Sequence, residues 1–322
     1  MTPVHPGDRL DHYRIDSLAA RSGMASIFRG VDLRNGREVA IKVPHPEMES
    51  DPVLFDRFHR EQDIGQVLDH PGVMKVYGDD DRSRIYMVME WVPGRLLRQI
   101  LATQHKLPAE RAARIATGIA EALDYIHSRG VVHRDLKPEN VMVDDEDRIK
   151  LIDFGIAGQS GARRLTFAKL SQVMGTPDYI SPEQVKGRRG DGRSDIYALG
   201  VMLYEMLTGK TPFQGENAFA IMNDRLLNYP VPPRELDPSI SPQLQEVIYR
   251  AMEREPKNRY ASAKEFAWDL AHPEEVAVAD RPELREWRLR RKPWLRRALF
   301  YICLALIPVL VFGMLLYVAR HS

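Results

Sequence analysis

Three short segments carry residues that could do chemistry together. His133-Arg134-Asp135-Leu136-Lys137-Pro138-Glu139-Asn140 gathers carboxylates, a lysine and an amide, and Asp153-Phe154-Gly155 starts eighteen residues after Asp135. Upstream, Val39-Ala40-Ile41-Lys42 puts a lysine on a predicted strand. Carboxylate and amide oxygens are what a hard divalent cation takes as ligands. A further carboxylate can accept a hydroxyl proton, and lysines can offset phosphate charge. These are the parts of phosphoryl transfer, where a protein contributes mostly position and electrostatics. The Asp-Leu-Lys-Pro-Glu-Asn string alone would also suit a solvated charged turn. Its order and spacing with Asp153 and Lys42 favour chemistry.

Together the segments resemble the signature set of the eukaryotic-type (Hanks-type) serine/threonine protein kinases. Gly175-Thr176-Pro177-Asp178-Tyr179-Ile180-Ser181-Pro182-Glu183 and Ser194-Asp195-Ile196-Tyr197-Ala198-Leu199-Gly200 also look like this family, especially its bacterial members. The resemblance covers roughly residues 11–272. It implies ATP as phosphoryl donor, Mg²⁺ or Mn²⁺ as metal, serine and threonine hydroxyls of proteins as acceptors, and autophosphorylation. A homodimer is compatible with it. Residue by residue, Asp135 is expected as catalytic base, and Asn140 and Asp153 as metal ligands. Lys137 would meet the γ-phosphate, and a lysine there looks like serine/threonine rather than tyrosine kinases.

Lys42 would hold the α- and β-phosphates, fixed by Glu61. Phe58 and Ile64 flank Glu61 at i−3 and i+3, which sets it beside the buried face of its predicted helix. The adenine pocket would take Ile27 and Ala40 as roof, Met142 as floor and Met89 as gatekeeper. Glu90-Trp91-Val92 would be the hinge. Residues 156–175 read as the activation loop, with Thr166 and Ser171 as candidate phosphosites and Arg134 as the cation that would hold their phosphate. Thr176, Asp195 and the pair Glu183–Arg259 match scaffold positions.

One departure stands out. The family places Gly-x-Gly-x-x-Gly over the phosphates, and here Ala20, Ser22 and Ala25 occupy the three glycine positions; only Gly23, a spacer, is glycine. Ala and Ser lack the freedom at φ > 0 that lets backbone approach phosphate closely. The loop is expected to affect rate or ATP affinity rather than the reaction. It also motivates a rival reading, a pseudokinase or weakly active ATP-binding module. A small-molecule kinase on a related fold is a third, which the Gly175–Glu183 string, a peptide platform in the family, disfavours.

The elements that must position these residues fall into an α+β, two-lobed kinase fold. Residues 12–18, 25–31, 38–43, 73–77 and 84–90 read as strands, with a helix over 53–68; together they form a small lobe over 11–91. Residues 92–272 form a larger helical lobe, with helices over 109–129, 193–208, 243–252 and 262–270 and short strands at 141–143 and 149–152. Residues 1–10 read as a tail without an apolar leader.

Hydrophobic residues at 44% and charged residues at 28% fit a folded chain rather than a disordered one. Cys303, the single cysteine, excludes an internal disulfide and a cysteine-rich metal site. The net charge of +1 conceals a basic block: residues 281–297 hold eight Arg/Lys against two acids, a local +6. Removing that block and Arg320 leaves −6 across residues 1–280, which argues against nucleic-acid binding there. The block, a juxtamembrane linker over 273–297, abuts residues 298–319, a run without formal charge. As a helix that run would span roughly 33 Å, enough for a bilayer core. Positive flanks stay cytoplasmic. The expectation is one C-terminal transmembrane helix in the inner or cell membrane, contact of the basic flank with lipid, a cytoplasmic kinase domain in signalling, and only the tail 320–322 beyond.

Overall fold

The computed structural model describes residues 4–22, 25–46, 51–78, 82–153, 177–281, 301–302 and 308. The chain divides into a unit over Met1–Val278 and a second over Ala279–Ser322.

In the first unit, six strands form one antiparallel sheet: β1 (Arg9–Leu10), β2 (Tyr13–Arg21), β3 (Ala25–Asp32), β4 (Arg37–Pro44), β5 (Val76–Tyr77) and β6 (Met87–Glu90), in the order β1-β2-β3-β4-β6-β5. The Asn35-Gly36 turn joins β3 to β4, with Gly36 at φ 72° and its N–H bonded to the Asp32 carbonyl at 2.8 Å. Strand alternation sorts the side chains into two cores. Val39, Ile41 and Val43 of β4 pack with Tyr13, Ile15, Phe28 and Val88 on one face. Ala40 packs on the other with Met87, Met89, Val76 and Phe58, the last from α1 (Pro52–Val67). Lys42 shares the parity of Ala40 and therefore points toward α1.

The larger part of the unit is helical: α2 (Leu97–Gln104), α3 (Ala109–Ser128), α4 (Pro182–Val185), α5 (Gly192–Thr208), α6 (Ala218–Leu227), α7 (Pro233–Leu236), α8 (Pro242–Ala251) and α9 (Ala263–Ala271). Fourteen successive residues of α5, Ser194 to Leu207, are buried, as befits a helix apolar on nearly all sides. The Asp191 side chain caps its first turn, and Gly209 at φ 71° ends it. A three-stranded sheet of β7 (Arg95–Leu96), β8 (Val141–Val143) and β9 (Ile149–Leu151) lies at the join. Gly94 is obligatory there: its φ is 115°, and a Cβ would stand 2.4 Å from the Val143 carbonyl oxygen. Behind the cleft, backbone bonds of 2.9 Å from Met74 N–H to Leu151 and from Leu151 N–H to Gly72 stitch the two lobes together.

Several boundaries differ from the sequence reading. The segment read as a tail already enters the sheet at Arg9, and Leu10 is buried in its core. The strand read over 73–77 is only Val76–Tyr77, because Val73 turns to bridge Leu151. The strand read over 84–90 begins at Met87. Compact structure continues past residue 272: Pro273–Glu275 forms a turn and Val276 packs on the large core. Among the described residues no helix is long and apolar enough to cross a membrane. The expected transmembrane run lies outside the described residues except at 301–302 and 308, and the basic block lies outside them except at Arg281.

Candidate active site

The site gathers between the sheet and the helical lobe. From β4, the Lys42 ammonium reaches Glu61 Oε1 of α1 at 2.7 Å and stands 4.0 Å from Asp153 Oδ1. Both partners of the Lys42–Glu61 pair are largely buried, while the Asp153 carboxylate is half exposed. Burial disfavours the lysine charge, but the two carboxylates outweigh it and raise the Lys42 pKa. Burial pushes Glu61 up to about 7, Lys42 pulls it back, and Asp153 repels it. The triad thus sets one cation between two acids, an arrangement that additional positive charge at Asp153 would stabilise.

Below it runs the loop of residues 133–140. Lys137 Nζ bonds Asp135 Oδ2 at 2.7 Å, and both side chains remain partly exposed. Buried Asn140 donates its side-chain amide N–H to the Asp135 main-chain carbonyl at 2.8 Å, and its main-chain carbonyl accepts from Ile152 N–H at 3.1 Å. These two bonds tie Asp135, Asn140 and Asp153 into one frame. The frame rests on Asp195 of α5, 1% exposed, which accepts from His133 N–H at 2.9 Å and Arg134 N–H at 2.7 Å. His127 Nε2 lies 2.8 Å from the same carboxylate. This grip holds Arg134 at φ 64°, a left-handed conformation that is strained for arginine.

Over the cleft, the Gly-poor turn uses its own side chain to close. Ser22 N–H donates to the Ala25 carbonyl at 2.9 Å, and Ser22 Oγ bridges the Ala25 backbone at 3.1 Å. Ala20 pairs with Ile27 across β2 and β3. Gly23 lies outside the described residues. Of the expected adenine-pocket residues, Ile27, Ala40, Met89 and Val92 meet in one apolar cluster, and Met142 stands half-buried on β8. Ile152 joins that cluster without having been singled out in the sequence. Glu90 bonds Lys150 Nζ of β9 at 2.5 Å, and its N–H donates to the Lys75 carbonyl at 2.8 Å.

Glu183 and Arg259 form a buried bidentate pair at 2.7 and 2.6 Å, with Ser194 Oγ donating to the same carboxylate at 2.7 Å. Burial opposes the Glu183 charge, but Arg259 and Ser194 hold it down at about 2. A second network was not apparent in the sequence. Arg98 of α2 bonds Glu139 at 2.9 Å, Glu205 at 2.8 Å and Tyr179, whose hydroxyl also donates to Glu205 at 2.5 Å. Glu139, inside the 133–140 string, and Tyr179, inside the 175–183 string, gave the only signals for it. Arg134 has its carbonyl held by Gln184 at 3.0 Å, and its Nε is buried without a hydrogen-bond partner among the described residues. Burial, then the charge of Arg189, lowers its pKa. Thr166, Ser171 and Thr176 lie outside the described residues.

Residues 21–269 match the protein kinase domain. The chain belongs to the protein kinase family. Among bacterial relatives, the kinase is 38% identical over 263 residues to the probable serine/threonine-protein kinase SCO3848 of Streptomyces coelicolor, covering 80% of this chain and 39% of that protein. It is 35% identical over 288 residues to the serine/threonine-protein kinase PknB of Mycolicibacterium smegmatis, covering 88% of this chain and 46% of that protein. The kinase therefore spans less than half the length of these relatives. It also resembles the crystal structure of the Mycobacterium tuberculosis PknI kinase domain at 27% identity and a TM-score of 0.66, covering 84% of this chain and all of that one. The matched residues 21–269 take in Lys42, Glu61, Asp135, Asn140 and Asp153, and the family uses ATP with a divalent metal.

Proposed function

We propose that this kinase transfers the γ-phosphoryl group of Mg-ATP to serine and threonine hydroxyls of proteins. The observation that carries the reading is the Lys42–Glu61 pair set 4.0 Å from Asp153, a phosphate-holding cation beside a metal-holding acid. The donor set fits Mg²⁺: Asp153 offers a half-exposed carboxylate, and the Asn140 amide, with its nitrogen turned to Asp135, has its oxygen for a ligand. When bound, the metal would neutralise phosphate charge. Mn²⁺ would suit the same oxygens.

The chain's own residues account for the rest. Lys42 would hold the α- and β-phosphates, kept in place by Glu61. Asp135 would accept a hydrogen bond from the acceptor hydroxyl and then its proton. The hydroxyl oxygen bonds to the γ-phosphorus as the bond to the bridging oxygen breaks, and ADP leaves with that electron pair. Lys137, already bonded to Asp135, would meet the charge at the γ-phosphoryl group. Phosphorylation of Thr166 or Ser171, read by mass spectrometry, would give Arg134 an anionic partner. Two copies would meet when one chain modifies the other.

The weakly active ATP-binding module stays as a second reading because Ala20, Ser22 and Ala25 replace glycines. Radiolabelled ATP with Mg²⁺ and a generic protein acceptor separates the two. Transfer to serine and threonine supports the kinase reading; ATP binding without transfer favours the module. Residues 298–319 would cross the membrane once, with the basic flank on anionic lipid and the kinase on the cytoplasmic side, in signalling.

A further inference from the structure

Arg225 of α6 is the largest fully buried side chain among the described residues, at 1% exposed. Burying a guanidinium is costly unless its charge and donors are met. Here the donors go to main chain. Nη1 bonds the Pro177 carbonyl at 2.5 Å, and Nη2 bonds the next one, of Asp178. The Phe213 ring lies 5.4 Å from the guanidinium carbon, and the Tyr197 hydroxyl and the Asp178 carboxylate lie near enough to interact with its charge. Its Nε has no hydrogen-bond partner among the described residues. A planar fork meets two consecutive carbonyls from two separate nitrogens in a fixed geometry, which the single ammonium of a lysine does not reproduce. The residue is therefore suited to fixing a main-chain path.

That path borders the acceptor side of the site. Residue 179 follows at once, and its tyrosine is held by Glu205 and by Arg98, which also bonds Glu139 between Asp135 and Asn140. Gln184 reaches the Arg134 carbonyl from just beyond. The strip 177–179 is thus gripped by Arg225 on one side and tied to the loop of Asp135 on the other. Lys42, Glu61 and Asp153, which face ATP, take no part in these bonds.

We propose that Arg225 is a positioning residue for the protein acceptor: it fixes the course of residues 177–179 and so how an acceptor chain lies against Asp135, without acting on ATP. This rests on the protein-kinase reading. The test uses the full chain and steady-state kinetics with casein and ATP varied separately, alongside circular dichroism. Arg225→Met should lower kcat/KM for casein roughly tenfold to a hundredfold, as misplacement by about an ångström does. The KM for ATP should stay within about twofold, and Arg225→Lys, with its donors on a single nitrogen, should fall between. A rise in the KM for ATP that matches the loss for casein would overturn the proposal, as would no change in either. If Arg225→Met does not fold, Arg225→Lys and Arg225→Gln carry the same criteria; if none folds, the residue serves folding and the proposal fails. A wild-type chain that phosphorylates no protein sinks the kinase reading itself, a result distinct from any pattern among the variants.

Discussion

Lys42 owes its position to strand parity and its charge to two acids. In the proposed function, removing either the cation or the Asp153 carboxylate would take away charge aimed at the phosphates. Lys42→Met and Asp153→Asn should each lower phosphorylation at least roughly a hundredfold, read as label incorporated per minute by purified protein. Activity near wild type in either would remove both from their assigned roles. The Glu183–Arg259 pair makes a different demand, on stability. Its carboxyl is depressed from 4.5 to about 2 in the folded chain. The stabilisation is therefore complete above the unfolded value and is lost as pH falls from 4.5 through 2. It amounts to something on the order of 3 kcal/mol. In urea titrations, Glu183→Gln should be less stable than wild type at pH 7, and the gap should narrow across that acid window. A gap equal at pH 7 and pH 2 would mean the pair contributes no charge-dependent stability. Residues of this kind were legible because each sits inside a distinctive string. Arg98, Arg225 and Lys150 were not, because an isolated basic residue looks the same whether it faces water or a buried carbonyl.

At the scale of elements, the β2–β3 turn shows how a missing glycine is compensated. Ser22 Oγ donates to the Ala25 carbonyl and accepts from the Ala25 N–H, so a side chain makes part of the closure. Restoring glycine at Ala20, Ser22 and Ala25 should lower the KM for ATP or raise kcat, if backbone freedom limits the present turn. A fall in both kcat and ATP affinity would instead show that the serine-closed turn is adapted to its sequence. The long periodic elements were readable: the helices read over 109–129 and 193–208 are α3 and α5 to within a residue, and Gly130 and Gly209, both at positive φ, lie just past their ends. The helix α6 was not, since its Phe219 and Leu227 are exposed and blur its apolar face. The two-residue strands β1 and β7 escaped for another reason: so short a strand has no alternation to read, and only its partners define it.

For the whole molecule, the charge asymmetry carries the remaining prediction. A run of 22 uncharged residues behind a flank of net +6 should keep the full chain in the membrane fraction through high salt and alkaline carbonate. Release by either wash would mean that the run does not span a bilayer. Neutralising Arg288, Arg290, Arg291 and Lys292 should weaken binding of the kinase to anionic vesicles without extracting the chain, at about 1 kcal/mol for each charge removed. Within the first unit, the stitch of Gly72 and Met74 to Leu151 constrains how the cleft can open. Bound at that edge like the pages of a book, the lobes would part by rotation about it. The travel is then smallest at the bound edge and grows toward the free one, so breathing of this cleft changes an angle more than a width.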